Sequence, residues 1–196
     1  MNGTVSFHMV GRSASRHLPR LIVVDADVVV WTDEDSLDAS EAMRVHGTGL
    51  RISLDSEEIR LLGILEDEGL ATVLVTGEAD AEAAARCRDA GLHPLILSDQ
   101  SLRRRSPAAC SRGAARADAL AGLCEARSLS LRDACVIAAR PLDLEMMLGS
   151  GLALVLEDAG YEACAAADEV FPARGQGGLA QALAFLVDEV CEGRSD

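Results

Sequence analysis

Two aspartates one residue apart, Asp25 and Asp27, interrupt the apolar stretch LIVVDADVVVWTDED at residues 21–35. Side chains two apart on extended backbone point to the same side, so these carboxylates repel each other. Crowded acids titrate apart, one keeping its proton while the other ionises, and general acid and base chemistry uses that split. Metal-independent acid/base chemistry at Asp25 and Asp27 is therefore one function that the residues alone allow.

Few other side chains compete for a chemical role. His8, His17, His46 and His93 lack metal-ligand spacing, and His93, at the start of an apolar run, reads as structural. Six cysteines (Cys87, Cys110, Cys124, Cys135, Cys164, Cys191) form no CxxC motif. Most sit in apolar patterns, where a free thiol behaves as a small hydrophobe; that points to a reducing cytoplasm and away from zinc or disulfides. Ser111 to Gly113 is open to two readings, a phosphate nest at a helix start or a plain loop. The backbone amides of Gly175-Gln176-Gly177-Gly178 precede the last helix and could meet an anion.

Composition narrows the partners. The 196 residues carry a net charge of −14, every cation other than histidine is an arginine, and hydrophobic residues make up 49% against 3% aromatic. An acidic chain repels nucleic acid and anionic membranes, and Arg103-Arg104-Arg105, the largest basic cluster, reads as a solvated loop. No run reaches the roughly 18 apolar residues of a membrane span, and the first twenty residues show no secretory signal. Residues 1–18 read as a flexible tail and 19–192 as a single domain with an aliphatic core.

Positioning Asp25 and Asp27 requires a frame, and the chain supplies alternating elements. Strands are expected at 21–26, 71–77, 93–99, 134–139 and 152–156. Helices are expected at 55–67, behind Asp55 as an N-cap, and at 80–90, 113–126, 142–148 and 179–191. Met146 and Met147 read as core. Continuous apolar strands alternating with helices predict a three-layer α/β/α fold around a parallel sheet. Such sheets bind ligands beyond the carboxyl ends of their strands, which singles out Asp25, Asp27, Thr76, Gly77, Ser98, Asp99 and residues 138–143. Residues 31–52, around Gly47-Thr48-Gly49, are too long for a tight turn and read as a β-hairpin flap.

The order of these motifs resembles the haloacid dehalogenase superfamily, in its small, minimally capped 3-deoxy-D-manno-octulosonate 8-phosphate phosphatase branch. DADVVVWTD stands where the branch has DxDGVxTDG, and VLVTGEADAEAAARCRDAGL parallels its ITGRxSxxVxxRxxxLGI. The run GLALVLEDAGYEACAAADEVF parallels GLSVAVxDAxPxxxxxADYVT. The resemblance implies a Rossmann-like fold with a minimal cap. It also implies that Asp25 is the nucleophile, Asp27 the general acid/base, and Thr76, Gly77 and Arg116 the phosphate-binding residues. Mg2+ would be held by Asp25, Asp27 and Asp143. Arg116 stands in the place of the family lysine, and a forked guanidinium is not a neutral exchange for it. The branch forms tetramers in which a neighbour closes the cleft, so a homo-oligomer and a small phosphorylated sugar are the implied partners.

The last motif departs from the family pattern. Where the branch has a GDDxxD-like run, this chain has ACVIAARPLDLEMM: Ala138 replaces the glycine, Ala139 the metal-binding aspartate and Arg140 the second acid. Ala139 offers no ligand atom to a cation that needs oxygen ligands. Val28 and Glu78 also depart from the pattern. Arg140 is a candidate to replace the metal's charge; its alternative is to point into solvent. These departures point to a catalytically weak or silent relative. An active phosphomonoester hydrolase using Asp25 stands beside that reading.

Overall fold

The computed structural model describes residues 18–25, 55–76, 88, 95–98, 111–138 and 141–193, with backbone alone at 25, 76, 96, 98, 112 and 174. The expected tail at 1–17, flap at 31–52 and helix at 80–90 (Arg88 excepted) lie outside these residues. So do Asp27, Gly77, Asp99, Ala139, Arg140, the arginine triplet, the four histidines, Cys87 and Cys110.

Six strands make one sheet: β1 Leu21–Asp25, β2 Ala71–Thr76, β3 Leu95–Ser98, β4 Ala134–Ala138, β5 Leu152–Leu156 and β6 Glu169–Phe171. Their order is β3-β2-β1-β4-β5-β6, and every pairing is parallel. The helices are α1 Ser56–Asp67, α2 Arg112–Ala126, α3 Leu144–Gly149, α4 Tyr161–Ala166 and α5 Gly178–Gly193.

The strands are apolar on both faces because helices cover both faces. Ile22 and Val24 point into one core with Leu61, Leu62 and Leu65 of α1 and Leu179, Leu183 and Leu186 of α5. Leu21 and Val23 alternate to the other core, with Leu120 of α2 and Met146 and Met147 of α3. Met146 and Met147 are thus core, as expected. Helix α1 begins where the sequence says it should. Asp55 Oδ1 accepts from the Glu58 amide at 2.8 Å and Glu58 Oε2 accepts from the Asp55 amide at 3.0 Å, a reciprocal cap.

Strand β6 and helix α4 had no sequence counterpart above. The three residues of β6 are only partly buried, so no apolar run marks them. Asp168 fastens β6 to the sheet: its carboxylate accepts from the Ala153 amide at 2.9 Å, and its own amide donates to the Ala153 carbonyl at 2.8 Å.

Cys124, Cys135, Cys164 and Cys191 are all free thiols. Burial pushes Cys135 well above its ordinary value of 9.0, and the charge of Asp168 pushes it further. The unfolded chain loses this proton first, so the thiol's contribution to stability is intact below pH 9.0 and lost above it. Melting temperature should therefore fall from about that pH upward, less steeply in Cys135→Val; equal slopes would contradict this assignment.

Candidate active site

The strand order reverses between β1 and β4, which lie side by side although most of the described chain before α2 separates them in sequence. At such a reversal the connections leave the strand ends in opposite directions and open a crevice at the carboxyl edge. Asp25 is the last residue of β1 and pairs in register with Val75, so Thr76, the last residue of β2, lies one step further along that edge. Val24 pairs with Ile137, and continuing that register sets Ala138, the end of β4, opposite Asp25. The fold thus brings Asp25, Thr76 and the exit of β4 to one place, as the sequence predicts. Asp27, Gly77 and Arg140 lie outside the described residues.

Arg116 and Asp143 are brought into direct contact. Arg116 sits one turn into α2. Asp143 closes the short 3-10 turn Pro141–Asp143 that follows β4 on the same carboxyl edge. Arg116 Nη1 donates to Asp143 Oδ1 at 2.7 Å, and neither side chain has any exposed surface. A charged bond of this length is among the strong ones, and the desolvation it demands makes its geometry decisive.

The sequence around Arg116 explains how so large a polar side chain is buried. Gly113 lies three residues earlier and therefore on the same helix face. A Cβ there would meet Glu145 Oε2 at 2.7 Å and the Leu142 carbonyl at 2.9 Å, so glycine lets α2 press against residues 142–145. Ser111 caps the helix, its hydroxyl accepting from the Ala114 amide at 2.9 Å. The same hydroxyl lies 3.4 Å from both oxygens of Glu145. Ser111 to Gly113 is thus an N-cap and a packing contact, with a carboxylate already facing the helix start. The pairing of Arg116 with Asp143 was not legible in the sequence; the small residue one turn before the arginine was its only local sign.

The Gly175–Gly178 loop also has a backbone explanation. Gly177 adopts φ +75°, and a Cβ on Gly178 would lie 1.8 Å from the Pro172 carbonyl oxygen. Left-handed backbone and so close an approach both require glycine.

Of Asp25, Asp27 and Asp143, which by resemblance would hold Mg2+, only Asp143 has a described side chain. Among the residues whose side chains are described, Asp143 is the one buried carboxylate, and it is paired with Arg116. No group of three or more His, Cys, Asp or Glu among them is placed to hold a metal ion. Asp143 Oδ1 is taken by Arg116, one carboxylate falls short of a dedicated cage, and Ala139 has no side-chain oxygen to add.

Six parallel strands reversing order at β1 and β4, between two helical layers, define a Rossmann-like α/β/α fold of the haloacid dehalogenase type. Within that type, the fold is the one seen in 3-deoxy-D-manno-octulosonate 8-phosphate phosphatases. A cobalt-bound deoxy-D-mannose-octulosonate 8-phosphate phosphatase from Haemophilus influenzae matches at 16% identity and TM-score 0.66, over 92% of this chain and 94% of that one. The 3-deoxy-D-manno-octulosonate 8-phosphate phosphatase of Moraxella catarrhalis, in complex with magnesium, phosphate and the sugar acid, matches at 17% identity and TM-score 0.62, over 89% of each chain. A hypothetical protein from Xanthomonas campestris matches at 20% identity and TM-score 0.62, over 92% of this chain and 86% of that one. At these identities the likeness is one of fold. No protein-family model and no curated protein sequence matches the chain. No helix among the described residues is long and apolar enough to cross a membrane.

Proposed function

We propose that this chain is a phosphatase-like protein derived from a sugar-acid phosphate phosphatase and that it is catalytically weak or silent. The observation that carries the reading is the buried Arg116–Asp143 pair at the carboxyl edge of a phosphatase-type sheet. The acid that would serve a metal is committed to an arginine. The next residues after β4, Ala139 and Arg140, supply a methyl group and a positive charge where the resembled branch has two aspartates.

The other parts of a phosphoryl-transfer site persist in the sequence. Asp25, at the end of β1, has the place of a nucleophile that would attack phosphorus and form an aspartyl phosphate. Asp27 would protonate the leaving alcohol and later take a proton from water. Thr76, Gly77 and Arg116 would hold phosphoryl oxygens. A divalent ion, where one is bound, neutralises charge on the transferring group; phosphoryl transfer is mostly positioning and such neutralisation. Without a fitted ion, and with Arg116 paired to Asp143, Arg140 would be left to offset the developing charge, and the chain would keep ligand recognition more readily than turnover.

A second reading, an active phosphomonoester hydrolase on a small phosphorylated sugar or sugar acid, is favoured by one observation: Asp25 and Thr76 end two paired strands, one residue apart in register. Phosphate release from a panel of sugar phosphates, with and without Mg2+, separates the two. The expected turnover lies well below about 1 s−1, the low end of ordinary enzyme rates. Magnesium-dependent turnover at or above that rate, abolished in Asp25→Asn, would establish the hydrolase instead. We further propose a homo-oligomer, a tetramer by resemblance, in which a second copy closes the cleft; a sedimentation profile showing monomer alone would refute it.

A further inference from the structure

We draw no further inference here: the strongest candidate, the exposed Tyr161 at the start of α4 beside the Pro141–Asp143 turn, is a single aromatic side chain on that surface, and nothing among the described residues shows what covers it.

Discussion

Replacing Ala139 and Arg140 together with aspartate should raise magnesium-dependent phosphate release about a thousandfold over the unmodified chain. Strand β4 ends at Ala138, and its register with β1 brings that end beside Asp25. Position 139 is the first residue past the edge. By the family resemblance a carboxylate there would join Asp25 and Asp27 as an oxygen ligand, and the second change removes a positive charge and adds another acid. A catalytic metal supplies several kcal/mol of transition-state stabilisation, and each ~1.4 kcal/mol is a decade in rate. Initial rates on a sugar phosphate, with and without Mg2+, measure the gain. Ala139→Asp alone should recover less, because Arg140 keeps its positive charge next to the new carboxylate in sequence. Equal rates in the unmodified and doubly substituted proteins would show that these two positions are not what limits the site.

The second large effect is on stability. Asp143→Ala should cost about 3–5 kcal/mol, since it takes the 2.7 Å carboxylate partner from a guanidinium that has no exposed surface. Arg116→Met should cost a similar amount by stranding the carboxylate. The paired change Arg116→Met/Asp143→Leu should recover most of the loss, because neither charge then needs a partner and the volume stays filled with apolar atoms. Chemical denaturation of the four proteins forms a double-mutant cycle with a large coupling term. Additive losses, or single losses under about 1 kcal/mol as at exposed pairs, would mean the pair is solvated after all. The exposed Arg60–Glu57 pair is a built-in contrast: it is shorter still, at 2.6 Å, but both partners are more than half exposed.

The fold was legible because its strands are buried on both faces. Runs such as LIVVD, ATVLVT and LALVL are continuous apolar stretches of strand length, and that pattern has few solutions other than a parallel sheet. Strand β5 spans the expected residues, and β4 covers the expected residues as far as Ala138, the last one described there. Strand β6 escaped notice because Glu169, Val170 and Phe171 are partly exposed and owe their place to Asp168 and to the edge of β5. The short turn at Pro141–Asp143 was likewise folded into an expected helix, since a single 3-10 turn has no periodicity to read.

Site positions were legible to the extent that strand ends were. Asp25 and Thr76 follow from where apolar runs stop. The partnership of Arg116 with Asp143 spans 27 residues and depends on how α2 docks against the exit of β4, which no local pattern encodes. From the chain alone each was assigned a ligand of its own, phosphate for one and metal for the other. Their burial against each other adds a structural bond to those roles and makes the metal role of Asp143 the more strained of the two.

Calorimetric titration of Mg2+ into the unmodified protein tests the central claim most directly, with Asp25→Asn as the control. If the chain has lost its magnesium seat, as proposed, the titration should give only heats of dilution through the millimolar range, alike in both proteins. Saturable binding of one ion per chain, lost on replacing Asp25, would contradict that claim.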